Sequence, residues 1–87
     1  MKWSAEAREM VEQLLQELPL PLREGIQQAA ELRAEALAEK GSAPEISLEL
    51  AVAAFIESTP ADLRERLKHT LSYRGLDPDD YEAAFSS

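Results

Sequence analysis

The stretch Leu48-Glu49-Leu50-Ala51-Val52-Ala53-Ala54-Phe55-Ile56 is apolar almost all round. A helix of this kind is buried on most sides. A buried strand is the rival reading of so short a run. Helix is preferred because alanine is frequent in it and no other stretch looks like a strand partner. The chain has 87 residues, enough for one domain and too few for two. Whatever surrounds this segment therefore has to come from the flanking helices of the same small unit.

Those helices are legible in period and punctuation. Trp3, Ala7, Met10, Val11, Leu14, Leu15 and Leu18 recur at steps of three and four, with Glu6, Arg8, Glu9, Glu12, Gln13, Gln16 and Glu17 between them. Ser4 is placed to cap this first helix, and Pro19 ends it because the residue before a proline avoids the α region. A second helix is expected from about Pro21 to about Lys40, with Leu22, Ile26, Ala29, Ala30, Ala34, Leu37 and Ala38 inward and Leu32 off that stripe, touching a second neighbour. Gly41 is expected to be its left-handed C′ residue. Ser47 caps the third helix. Thr59-Pro60-Ala61-Asp62 has the form of a capping box, opening a fourth helix along Leu63, Leu67 and Leu71 that ends at Gly75. Asp77-Pro78-Asp79-Asp80 repeats the start signal, placing Tyr81, Ala84 and Phe85 on a short last helix docked on the body. The termini, Met1-Lys2 and Ser86-Ser87, are expected to fray. The fold class is all-α: a small compact bundle of four to five short helices.

Charge and composition exclude several functions. Seventeen acidic residues against 9 basic give a formal net charge of −8, which repels nucleic acid and an anionic membrane surface alike. The chain has no cysteine, so disulfides, thiolate zinc sites, iron–sulfur ligation and cysteine nucleophiles are excluded. With no targeting segment and no long apolar stretch, a cytoplasmic protein is the expectation. The three glycines are isolated and form no phosphate loop. One histidine and scattered serines make no catalytic triad. Asp62, Glu65 and His69 share a face of the fourth helix and could hold a divalent cation weakly. A solvated face is the simpler account. No catalytic or metal-ligating set and no resident cofactor are assigned.

With the helices placed, a pattern emerges. Trp3 opens an acidic helix that ends in Leu18-Pro19. A proline corner leads to Arg23, Ile26, Ala30-Glu31 and Ala34; Gly41 closes that helix, and Ile46-Ser47, Glu49 and Ala54 open the next. This resembles the small helical domain at the C-terminus of the catalytic B subunit of light-independent protochlorophyllide reductase, also found in short stand-alone proteins. The resemblance runs from Trp3 to Ala54. It includes a short insertion between Ala34 and Gly41, Ser47 where threonine is usual, and leucines in place of corner aromatics. It divides the chain into a three-helix unit over residues 1–58 and a helical extension over 59–87, packed on that unit or on a partner.

The resemblance implies an accessory role: covering or positioning a tetrapyrrole, or docking on a larger enzyme. None of the parent's cluster chemistry is transferable to a cysteine-free chain. Trp3, Arg23, Glu31 and Gly41 are the positions that match. Trp3 reads as a core anchor, with an edge near the terminus left for a flat ligand. Arg23, in a first turn where a cation is disfavoured, reads as a partner for Glu17 or for a ligand anion such as a propionate. Glu31 reads as solvated. Trp3, Arg23 and Glu31 are the candidate ligand- or partner-binding residues. The alternative is an acidic protein–protein adaptor or homo-oligomer subunit without a small ligand.

Overall fold

A computed structural model describes residues 2–86. Helices α1 (Ala5–Gln16), α2 (Leu20–Lys40), α3 (Leu48–Ser58) and α4 (Ala61–Tyr73) are followed by a 3₁₀ turn (Pro78–Tyr81) and a last short helix, α5 (Glu82–Phe85). The all-α reading holds: among the described residues the only β feature is one isolated parallel bridge, Trp3 to Ile46.

The apolar segment is α3, and it occupies the centre. Ala51, Val52, Ala54, Phe55 and Ile56 are all fully buried. Burying each larger side chain contributes roughly 1.5–3 kcal/mol. Helix α2 makes the most extensive contact with α3, and α1 the next. The α2 row that does this is Ile26, Ala30, Ala34 and Ala38, one residue every fourth position. Alanines at that spacing leave no side-chain spacer, so the two backbones approach closely along an i, i+4 ridge. Such a contact is narrow. Leu22 (38% exposed), Ala29 and Leu32 (69% exposed) therefore lie outside it, against the expectation that Leu22 and Ala29 face inward and Leu32 meets a second neighbour.

The caps agree with the sequence at some ends and not at others. Ser4 Oγ accepts from Ala7 N at 3.1 Å, and Ser47 Oγ from Leu50 N at 3.3 Å. Asp77 caps the 3₁₀ turn through Asp79 N at 3.0 Å. Thr59 does not cap α4. It is 2% exposed, and its hydroxyl donates to Phe55 O at 2.8 Å, back along α3. Inside the core no water is at hand for that hydroxyl, and the free carbonyl of α3 is its nearest acceptor. The N-cap of α4 is Pro60, with no side-chain bond.

Gly41 is not the left-handed residue after α2. Its φ is −90°, while Ser42 takes φ 55°. Ser42 N donates to Glu39 O at 3.1 Å and Ala43 N to Ala38 O at 2.8 Å, the paired bonds of a Schellman motif. The helix ends at Lys40 as expected, but Gly41 is its C-cap and the left-handed position falls one residue later, so serine carries the unfavourable conformation. Helix α4 ends in the same motif with glycine in register: Gly75 has φ 83°, and Leu76 N donates to Leu71 O at 2.9 Å.

The C-terminal segment folds back on its own chain. Tyr81 and Ala84 are buried, and α5 packs on α3. Arg64 ties three pieces together, donating to the carbonyls of Thr59 (3.0 Å), Glu57 (3.3 Å) and Phe85 (3.2 Å). At the described ends, Ile46 N donates to Lys2 O at 2.8 Å and Ser86 N to Glu82 O at 3.0 Å. Met1 and Ser87 lie outside the described residues.

Candidate functional site

Trp3 is placed by the bridge. Ile46 N donates to Lys2 O, and Ser4 N donates to Ile46 O at 3.0 Å. Ile46 is fully buried, so this two-bond clip fixes the chain just before α1 against the α2–α3 loop. Half-buried Trp3 then packs at the core edge and turns its open side toward α2. The Arg8 guanidinium lies 5.5 Å from the Trp3 ring centroid. At an exposed position such a stack stabilises by about 0.5–1 kcal/mol.

The result is an open groove of about 490 Å³ lined by Trp3, Arg8, Gln28, Glu31, Leu32 and Glu35. Its inner end narrows to a recess of about 30 Å³ between α1 and α2, where Val11 and Leu15 join Trp3, Arg8, Glu12, Gln27 and Glu31. An aromatic ring, an exposed leucine and a recess of mixed lining are ringed by carboxylates and one guanidinium. Glu31 accepts a long hydrogen bond of 3.4 Å from Gln27 Nε2.

Of the three residues singled out from the sequence, Trp3 and Glu31 meet in this groove and Arg23 does not. Arg23 Nε donates to Leu18 O and its Nη2 to Gln16 O, both at 2.9 Å. It does not pair with Glu17. Proline at 19 cuts α1 short and leaves its last carbonyls without intrahelical donors, at the negative end of the helix dipole. The guanidinium satisfies one of them, Gln16 O, and the Leu18 carbonyl just past the helix, which explains a cation in the first turn of α2. Glu17 pairs instead with Arg74 Nη2 at 3.1 Å, and Arg74 Nη1 donates to Gln13 Oε1 at 2.8 Å.

Sequence reasoning missed Arg8 and Leu32 as groove residues. It treated Arg8 as one more polar-face charge. For Leu32, the signal was its place off the apolar stripe. Also missed was a second opening, between the end of α1 and α4. A slot of about 20 Å³, walled by Leu14, Leu18, Pro19, Leu63 and Leu67, widens into an open groove of about 510 Å³ beside His69 and Tyr73, and Glu17 and Arg66 line both. Asp62, Glu65 and His69 form no metal centre: among the described residues no three His, Cys, Asp or Glu side chains converge on a cation site. One titratable group is clearly shifted. Burial raises the Tyr81 hydroxyl above its ordinary pKa, and the nearby Glu49 and Asp80 carboxylates add to this.

These features define a class of molecule: a small all-α bundle with several open grooves on its surface. No helix among the described residues is long and apolar enough to cross a membrane. No protein-family model, no curated protein and no solved structure matches the chain.

Proposed function

We propose that this chain is a non-catalytic helical binding module, of the accessory type implied by its resemblance to the protochlorophyllide reductase domain. It docks a larger protein through the Trp3–Glu31 groove. The observation that carries this reading is the meeting of Trp3 and Glu31, chosen separately in the sequence, around an exposed leucine and a narrow recess that Val11 and Leu15 help to line. Aromatic and apolar anchors inside a charged rim are the usual composition of a protein interface. The lining favours a protein over a free tetrapyrrole. Glu12, Glu31 and Glu35 outnumber Arg8, and propionate groups would meet repulsion. Arg23, the residue suited to a propionate, is engaged by the α1 carbonyls.

The chain has one tryptophan, so its emission reports on the groove directly. A partner retained by the immobilised wild-type chain should be lost by Leu32→Asp, a change at an exposed position that leaves the core intact. Its addition should also shift the Trp3 emission. Equal retention by both chains, with Trp3 emission unmoved, refutes the groove as the docking site. Protoporphyrin titration tests the other version. Saturable quenching of Trp3 at low micromolar pigment would restore the tetrapyrrole and overturn the preference for protein.

A further inference from the structure

Charge is not spread evenly along this chain. Residues 41–63 and 75–87 hold eight acids and no lysine or arginine, so together they carry the whole net charge of −8. The remainder is balanced between acids and bases. The fold brings the two stretches into contact, since α5 packs on α3. Beside that contact lies an open groove of about 450 Å³. Leu48, Glu49, Leu50 and Ala53 of α3 line one side, and Leu76, Asp80 and Tyr81 the other.

The apolar lining residues are half-buried and pack against the core, so they form a fixed floor. Glu49 and Asp80 are exposed beside it, and no cation lines the groove among the described residues. Neither carboxylate makes an ion pair among those residues. The dipole at the α3 N-terminus offsets only part of the Glu49 charge. At the other end of α3 the acid is already matched, with Glu57 paired to Arg33 at 2.7 Å. Tyr81 is 9% exposed, yet its hydroxyl makes no hydrogen bond among the described residues. A buried phenol usually finds a partner. Glu49 and Asp80 both act on that hydroxyl, which places the three groups together.

The groove lies between a helical turn and a 3₁₀ turn. Among the described residues there is no strand edge for an extended peptide to pair with. The lining includes no arginine cluster for a phosphopeptide and no row of aromatics for polyproline. Of the common recognition modes, a helix laid in the groove is the one that fits.

We propose that this groove docks a basic amphipathic helix of a partner protein, with an arginine reaching Glu49, Asp80 and the Tyr81 hydroxyl and aliphatic side chains covering the leucine floor. A guanidinium fork can donate to both carboxylates at once, and its charge meets the one part of the chain where acid is unopposed. A second copy of this chain is a poor occupant. Two-fold pairing would set Glu49 and Asp80 against themselves. Most of the chain's own cations are also engaged: Arg8 on Trp3, Arg23 and Arg64 on backbone carbonyls, and Arg33, Lys68 and Arg74 on glutamates. The site shares no lining residue with the Trp3 groove and stands whether or not that groove binds anything.

Two synthetic helical peptides of about 18 residues test the assignment, long enough to sustain helix. Both carry leucines along one face; one has arginines on the other face, its counterpart glutamates. Binding is followed by amide chemical shifts of the full chain. The arginine peptide should bind at least ~10-fold more tightly than the glutamate peptide, with shifts centred on Leu48, Leu50 and Leu76. Two double variants separate docking from general attraction to an acidic chain. Glu49→Gln with Asp80→Asn should lose at least ~10-fold in affinity for the arginine peptide. Glu24→Gln with Glu39→Gln, which removes the same charge from exposed positions on α2, should lose less than ~2-fold. All four acids are exposed, so both variants should fold normally by circular dichroism. Equal binding of the two peptides, equal losses in the two variants, shifts centred on Trp3, or no binding at ~1 mM overturns the proposal. So does a concentration-dependent dimer, seen by sedimentation, that protects the same residues.

Discussion

Replacing Ser42 by glycine should stabilise the fold, and replacing Gly41 by alanine should not harm it. Ser42 holds φ 55° at the C′ position of α2, where both Schellman bonds depend on it. A left-handed conformation costs a non-glycine residue roughly 1–2 kcal/mol. Glycine removes that cost but loses roughly 0.5–1 kcal/mol more chain entropy on folding. The net gain is roughly 0.5–1 kcal/mol, which in a domain of this size raises Tm by roughly 2–8 °C. Gly41 has φ −90°, and a Cβ there would meet Leu37 O at 3.5 Å, an ordinary contact. Gly41→Ala is therefore neutral or up to roughly 0.5 kcal/mol stabilising, through the unfolded chain. Gly75 supplies the opposite control. Nothing obstructs a Cβ there, yet φ is 83°, so Gly75→Ala should cost roughly 1 kcal/mol from backbone strain alone. Thermal and urea unfolding followed by circular dichroism rank the three variants. A Gly41→Ala loss above ~1 kcal/mol with no gain from Ser42→Gly would place the left-handed residue at 41 and refute the argument.

Phe55→Ala empties the centre of α3, where Phe55 is fully buried. A loss of about 3–5 kcal/mol is expected in urea unfolding, enough to leave a chain of this length close to its unfolding threshold. Arg23→Ala should lower stability by roughly 1 kcal/mol by freeing the carbonyls of Gln16 and Leu18, and should leave any ligand-induced shift of Trp3 emission unchanged, because Arg23 lies outside the groove. The Tyr81 hydroxyl is raised by burial and by Glu49 and Asp80, so the folded state holds its proton more tightly than the unfolded chain does. Its contribution is therefore complete below about pH 10, the unfolded tyrosine's pKa, and is lost as pH rises toward the higher folded value. Tyr81→Phe should flatten that alkaline decline, and an unchanged decline would assign it to other groups.

The sequence made some features plain and concealed others, and the difference follows from range. The α1 stripe, the buried α3 and the Ser4 and Ser47 caps depend on residues within a turn of one another, so period and side-chain chemistry reveal them. Thr59 and Gly41 also carried the right local signal, and there the local signal lost. The Thr59 hydroxyl was buried against a free carbonyl, and Gly41 became the C-cap of α2, so the left-handed position fell on Ser42. The site was half legible for the same reason. Trp3 and Glu31 attract notice as residue types, but they meet only through a bridge between Trp3 and Ile46 that no local pattern encodes. Arg23 looked like a ligand-seeking cation because its true partners are backbone carbonyls, which have no sequence signature.

Side-chain size along the helix faces decides where this bundle is closed and where it stays open. On α2, alanine at 30, 34 and 38 brings two backbones together and seals one side of α3. On α4, leucine at 63, 67 and 71 buries more apolar area per residue but keeps the helix at a distance. The gap it leaves beside α1 is therefore a consequence of spacing and is not a packing fault. Enlarging an α2 alanine would have to push α3 away, at a cost of roughly 1–3 kcal/mol. Shortening Leu63, which is only partly buried, would widen the cleft with far less strain.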